Sequence, residues 1–345
     1  MSKAVCYFGS YDPNYARNKI IKYGLERNGF KVYECQAHGI FTTRYFKLIK
    51  LFLKNHGKIS AIIVGFPGHL DVPLAFLLGK IFRKKVFFDI FASTYETYVL
   101  DRAVIKKNSA SAKFFYFIDW LGLHLVDYVI IDTQAHAEFY HKLYGLGLKK
   151  QIVVYVGSLD QIFRPRKVKE DTDVLFYGSY QPLQGVETII KAASKLPNVN
   201  FKLIGEGQTK NSCQNLVKEL KLKNVDFINW LSIAKLAEEI SRAKIILGIF
   251  GATKKAFVVI PNKVFDALAS KKAVITASTK ATNELFDRKS ANLINPNDPN
   301  KLATTIKLLL TDTNLRNKIA IKGYNIYLNR LKPEKVVMSL IPYLK

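Results

Sequence analysis

The chain holds three cysteines in 345 residues, Cys6, Cys35 and Cys213, scattered and with no C-x-x-C spacing. That excludes a disulfide framework and offers no cysteine zinc site. No apolar run approaches the ~20 residues needed to span a bilayer. The longest, Pro73–Phe82, contains Gly79 and Lys80 and has the length of a core helix. The opening residues, Met1 to Gly9, run directly into a strand pattern with no basic-then-apolar leader, the mark of an export signal. These absences predict a cytoplasmic chain. Acidic residues are also scarce, 27 against 53 basic ones, for a net charge of +26. The excess is spread over both halves, so no basic tail explains it. Arginine is rare beside lysine, 11 against 42, which favours diffuse attraction to anionic surfaces over fork-like reading of bases. No nucleic-acid partner is expected.

What is present is apolar sequence in abundance, 49% of residues, enough for two cores in a chain longer than one core usually supports. Strand patterns at Ala4–Phe8, Lys31–Cys35, Ala61–Phe66, Lys85–Phe88, Tyr128–Ile131 and Ile152–Val156 alternate with helical ones. A break follows at Gly157–Thr172. The rhythm restarts at Val174–Tyr177, Phe201–Ile204, Val225–Ile228, Ile245–Ile249, Ala273–Thr276 and Asn292–Ile294. These strands are continuous apolar runs, as when helices cover both faces of a parallel sheet. The expected architecture is α/β: two doubly wound domains, 1–160 and 173–330, joined by a linker at 161–172 and facing each other across a cleft. A terminal helix at 331–345 follows, its return to the first domain left open. Such domains bind ligands at the carboxyl ends of their strands.

Two glycine loops stand at such ends. Val174–Tyr177 leads into Gly178-Ser-Tyr-Gln-Pro-Leu-Gln-Gly185, and Phe201–Ile204 into Gly205-Glu206-Gly207. Glycine lets backbone N–H groups approach an anion, and a following helix N-terminus adds partial positive charge. Further on, Pro261 opens a helix in which Lys263 and Asp266 lie three apart and share a face. A carboxylate there can accept hydrogen bonds from vicinal ribose hydroxyls, with a lysine beside it for phosphate. The alternative is a surface Lys–Asp pair.

Residues 174–310 resemble the donor-binding domain of family 4 retaining glycosyltransferases, the group 1 type with the GT-B fold. The similarity lies in the two glycine loops, Val225–Trp230, the helix Pro261-Asn-Lys-Val-Phe-Asp-Ala-Leu-Ala269, Asn283-Glu-Leu285 and Asn295–Asp298. The first half is similar more loosely. The resemblance implies that Gly178, Ser179, Gln184, Gly185, Gly205, Glu206 and Gly207 line the diphosphate of a nucleotide-sugar donor. It implies that Asn229 and Trp230 face the base and that Asp266 holds the ribose, at the place of the family's second glutamate. Three positions depart from the family. Ser179 and Gln184 replace a basic pair, Val258 replaces the first glutamate, and Asp89 stands where a first-domain histidine is usual. Lys254, Lys255 and Lys263 are the nearest lysines to supply the missing charge.

Asp89, at a strand end, could orient a sugar or acceptor hydroxyl, or simply cap its loop. His69 sits at another strand end in Phe66-Pro-Gly-His-Leu-Asp71 and is a second catalytic candidate; His136 is a weaker one. Asp171-Thr-Asp173 spells a metal-binding D-x-D but precedes a strand, which favours a solvated turn. The expectation is therefore a mechanism without metal or other cofactor, with Lys263 and backbone N–H groups stabilising the departing diphosphate. Arg44–Lys54 interleaves Lys47, Lys50 and Lys54 with large apolar residues, and Lys106, Lys107 and Lys113 precede Phe114–Phe117 and Trp120. Both suit an anionic membrane interface or an ordinary core helix with a lysine edge. The resulting expectation is a metal-independent, retaining glycosyltransferase acting on a glycan or lipid-linked acceptor, peripheral on the inner membrane face. An inactive nucleotide-sugar-binding module and a nucleotide-sugar epimerase stay open.

Overall fold

The computed structural model describes residues 3–287 and 290–344. The chain forms two compact units, Met1–Gly157 with Lys332–Lys345, and Ser158–Leu331. Unit 1 alternates β1 (Ala4–Gly9), α1 (Ala16–Arg27), β2 (Lys31–Gln36), α2 (Phe41–Asn55), β3 (Ala61–Val64) and α3 (Val72–Phe82). It continues through β4 (Lys85–Asp89), α4 (Ala110–Leu125), β5 (Tyr128–Ile131), α5 (Gln134–Tyr144) and β6 (Gln151–Val153). Its six strands are parallel in the order β2-β1-β3-β4-β5-β6. The chain winds outward both ways from β1 and β3, so their carboxyl ends form the switch point. The strands carry apolar side chains on both faces: Tyr7, Ile63 and Phe87 are as fully buried as Phe8, Val64 and Phe88.

The C-terminal segment completes this unit. After Leu331, α13 (Pro333–Val336) lies against α1, where Gly24 permits the approach: a Cβ at Gly24 would stand 2.1 Å from the carbonyl oxygen of Pro333. Asn28 Nδ2 donates to the Glu334 carbonyl at 2.9 Å, and Ser60 Oγ to that of Leu344 at 2.8 Å. The segment is not one long helix. Beyond α13 it is a pair of short 3-10 turns, Val337–Ser339 and Ile341–Tyr343, the second containing Pro342, which has no N–H to extend a helix.

Unit 2 runs β7 (Thr172–Tyr177), α6 (Val186–Ala193), β8 (Phe201–Ile204), α7 (Lys210–Glu219), β9 (Val225–Ile228), α8 (Ile233–Arg242) and β10 (Ala243–Leu247). It then runs α9 (Asn262–Ala269), β11 (Ala273–Ala277), α10 (Lys280–Leu285), β12 (Asn292–Ile294), α11 (Pro299–Thr311) and α12 (Thr313–Ile326). Its parallel order is β12-β11-β10-β7-β8-β9. The stretch expected as a linker, 161–172, falls inside this unit. Thr172 already begins β7, and Glu170 and Asp171 are tied to Lys272 and Arg242. Asn283–Leu285 lies in α10, whose N-terminus is closed by a reciprocal Thr279–Thr282 capping box.

Candidate functional site

The loops after β7 and β8 in unit 2 pack backbone against backbone. Gly178 and Gly205 have φ of 145° and 133°, and a Cβ at Gly205 would lie 2.1 Å from the Gly178 carbonyl oxygen. A Cβ at Gly207 would lie 2.6 Å from the Tyr180 nitrogen. The glycines are thus required by the loops' own contact, before any ligand is considered. Tyr180 N donates to the Glu206 carbonyl at 2.8 Å, which locks the loops together. Gly185, at φ 63°, turns the first loop into α6, and a Cβ there would meet Gly251 N at 2.4 Å. A groove of about 710 Å³ borders this region between the first turn of α6 and the length of α7. Gly185 is the one residue it shares with the expected donor contacts.

Lys263 and Asp266 do not form the surface pair that the sequence allowed. Lys263, in the first turn of α9, is 4% exposed, and its Nζ lies 3.7 Å from the centroid of the Phe176 ring. The Nζ donates to Gln184 Oε1 and stands 3.1 Å from where a Gly178 Cβ would be. Burial holds its pKa well below the ordinary lysine range. A poorly solvated amine therefore sits directly beneath the first glycine loop. Asp266, one turn along, accepts from Ser158 Oγ at 2.6 Å and from Tyr177 OH at 2.9 Å. Desolvation raises its pKa to about 7 in spite of those two bonds. An ionised carboxylate has about four lone-pair sites, so two remain for other donors.

Glu206 and Asn229 are joined by a residue the sequence reading missed. Lys210, buried at the start of α7, donates to Glu206 Oε1 at 2.6 Å and to Asn229 Oδ1 at 2.8 Å. The only sequence signal was the i,i+4 spacing of Glu206 and Lys210. Trp230 is 53% exposed. Lys254 is exposed and Lys255 half-buried in the turn that precedes α9, and Ser179 is half-buried in the first loop. Asp171 and Asp173 sit at the amino-terminal end of β7, bound to Arg242 and Lys244, away from the strand ends that carry the loops.

In unit 1 the two other catalytic candidates are each held by a different partner. Asp89 ends β4 fully buried, both oxygens within 3.1 Å of the Arg17 guanidinium. Arg17 is equally buried and donates from Nη1 to the Val154 carbonyl at 2.6 Å. The carboxylate anticipated as an open strand-end group is thus an internal ion pair, because α1 places an arginine over β4. His69 is buried on the turn after β3, its Nε2 3.6 Å from Asp119 Oδ1, and burial lowers its pKa. His136 is the more constrained histidine. Its Nδ1 meets Asp132 at 2.6 Å and its Nε2 meets Glu96 at 3.2 Å. Burial opposes its charge, but the Glu96 and Asp132 carboxylates outweigh that and push its pKa up to about 9. Asp132 and His136 stand i,i+4 in the sequence; Glu96, 40 residues away, was not foreseeable.

Residues 157–326 match the profile described as "Glycosyl transferases group 1". An uncharacterized glycosyltransferase of Methanocaldococcus jannaschii is 25% identical over 64% of this chain and 66% of its own length. The lipopolysaccharide core biosynthesis glycosyltransferase LpsE of Rhizobium meliloti is 20% identical over 63% of this chain and 64% of its own length. The chain thus spans just under two thirds of each of these relatives. Among solved structures, sucrose-phosphate synthase of Thermosynechococcus elongatus superimposes with a TM-score of 0.73 at 16% identity, covering 99% of this chain and 97% of that one. HepE of Anabaena, solved with UDP and glucose, gives 0.72 at 15% identity over 100% and 99%. The two six-stranded parallel sheets with flanking helices have the GT-B fold.

Proposed function

We propose that the chain, whose residues 157–326 match the group 1 glycosyltransferase profile, transfers a sugar from a nucleotide-diphosphate donor to a saccharide or lipid-linked acceptor at the cytoplasmic membrane face. The observation that carries this reading is the buried Lys263 amine beneath the Gly178–Gly185 loop, with Asp266 one turn further along α9. In the reaction the acceptor oxygen replaces the diphosphate oxygen at the anomeric carbon, and negative charge grows on the departing diphosphate. Lys263 and the loop N–H groups are placed to stabilise that charge where little water screens it. Lys263 thereby takes the part of the basic pair that Ser179 and Gln184 lack. Asp266 receives the ribose hydroxyls on its two remaining lone-pair sites. Asp89 serves unit 1 as the partner of Arg17 and takes no part in transfer. Retention of configuration follows the family resemblance. Metal independence is supported by Asp171 and Asp173, whose carboxylates are engaged by Arg242 and Lys244. The test is a panel of nucleotide sugars in a thermal-shift assay, followed by transfer of the labelled sugar from whichever donor stabilises the protein. A panel that leaves the melting temperature unmoved would remove the reading.

One observation favours a second reading. Val258, aliphatic and 8% exposed, stands where the family carries its first glutamate, so a chain that binds donor without transferring its sugar is the rival. Donor binding with neither transfer nor hydrolysis would select it.

A further inference from the structure

Helices α2, α3 and α4 lie side by side over one face of the unit 1 sheet. Phe52 of α2 meets Phe82 of α3 edge-on at 5.3 Å, and α3 packs on α4. Leu48, Phe52, Leu74, Leu78 and Leu123 point into the core beneath. The opposite faces carry large apolar side chains in the open: Phe46 and Leu53 on α2, Leu77 and Ile81 on α3, Phe114 and Phe117 on α4. Each of the six is between 45% and 71% exposed. An apolar surface built from three successive helices is more than scattered exposure. Lysines stand among these residues at Lys50, Lys54, Lys80 and Lys113, all exposed.

The charge around this face has one sign. Residues 37–125 contain five carboxylates, Asp71, Asp89, Glu96, Asp101 and Asp119, and every one is buried. The same stretch holds thirteen lysines and arginines, none of them buried. Solvent therefore meets only positive side-chain charge here, interleaved with apolar side chains that project from the helices.

We infer that the outer face of α2, α3 and α4 docks on an anionic phospholipid bilayer, the six apolar side chains entering the headgroup boundary and the lysines meeting lipid phosphates. A second copy of the chain fits poorly, since a two-fold contact would set like charge against like charge. Half of the six, Leu53, Leu77 and Ile81, are aliphatic and offer no ring for a base to stack on, which suits acyl chains better than single-stranded nucleic acid. The inference concerns unit 1 and does not rest on the donor reading of unit 2.

Vesicle sedimentation of the full chain tests it. Vesicles rich in phosphatidylglycerol should pellet the protein and phosphatidylcholine vesicles should not. A lysine near an anionic leaflet contributes about fivefold in partitioning. Lys50→Glu/Lys54→Glu/Lys80→Glu should therefore weaken binding at least ~100-fold. Phe46→Ser/Ile81→Ser/Phe117→Ser should leave weak binding at low salt that 0.5 M salt abolishes, because that salt cuts the ~8 Å physiological screening length to roughly half. Both variants should keep the wild-type melting temperature, since the altered residues face solvent. Equal, negligible pelleting with both vesicle types would overturn the inference, as would undiminished pelleting of the charge-reversed variant. A concentration-dependent dimer abolished by the serine substitutions would instead assign the face to a second copy. Pelleting without any nucleotide-sugar response would sink the donor reading and leave this one standing.

Discussion

Asp266 gives the sharpest quantitative test, because the same desolvation that suits it to a ligand should cost the fold. Its folded pKa is raised to about 7 from an ordinary 3.8. For a carboxyl whose folded pKa lies above its unfolded one, the native state holds the proton longer, so stability falls as pH rises from about 4 and has fully fallen above about 7. A gap of about three pH units corresponds to about 4 kcal/mol. The residue is only partly buried, so solvent screening brings the expected cost to about 2 kcal/mol. Asp266→Asn keeps the shape and removes the charge. It should therefore match the wild type near pH 4 and exceed it by about 2 kcal/mol at pH 8. For a unit the size of Ser158–Leu331 that is a rise of about 4–8 °C in melting temperature. The same variant should bind the nucleotide donor more weakly by about 1–3 kcal/mol, having exchanged an anionic acceptor for a neutral amide. Calorimetric melting at pH 4, 6 and 8, with donor titration at pH 8, measures both. A wild-type–variant difference that stays flat across this range would refute the desolvation argument. Undiminished donor affinity would refute the ribose role.

Three further outcomes follow from the geometry. Lys263→Met should lower turnover while leaving free nucleoside affinity unchanged, and at pH 8.5 diphosphate binding to the wild type should take up a proton; buffer-independent binding enthalpies would contradict this. Arg17→Met or Asp89→Leu alone should destabilise unit 1 by about 3–5 kcal/mol by leaving a buried charge unpaired, and the double substitution by less; denaturant titration reads this, and an Asp89→Leu variant of undiminished stability but no activity would restore Asp89 to the chemistry. His136 has its pKa raised to about 9, so the stability it contributes is present in full below about 6.5 and is lost as pH rises through 9. The stability difference between wild type and His136→Gln should shrink by about 3 kcal/mol between pH 6 and pH 10, and a constant difference in denaturation would show that Glu96 and Asp132 do not hold the imidazolium.

The fold was legible because its signals are local. The central strands β1, β3, β4, β7, β10 and β11 are apolar runs buried on both faces, so there the sequence pattern and the structural cause are the same fact, and β5, β8, β9 and β12 have the ends the pattern predicted. The boundary between the units was less legible. Gly157 marked the break, yet the charged stretch that follows is held by Glu170–Lys272 and Asp171–Arg242 pairs that join residues 71 to 102 positions apart. Glycine positions, too, pointed correctly to the loops after β7 and β8, although part of their cause is the contact of one loop with the other.

By itself the sequence determined the class of protein: two parallel α/β sheets, glycine loops at successive strand ends, a lysine and a carboxylate on one face of α9, and a helix that interleaves lysines with large apolar residues. Periodicity and turn chemistry act over a few residues, and a single chain displays them in full. Only the tertiary structure decided what each charged group faces. Asp89 is closed off by Arg17, 72 residues away; Lys263 is stripped of water between Phe176 and Gln184; Asp266 is held by Ser158, 108 residues away. The burial of all five carboxylates between residues 37 and 125 is equally invisible in one dimension. A side chain's solvation and partners depend on which distant elements the fold lays over it, and that sets whether a lysine or an aspartate is a solvated surface group or a reactive one.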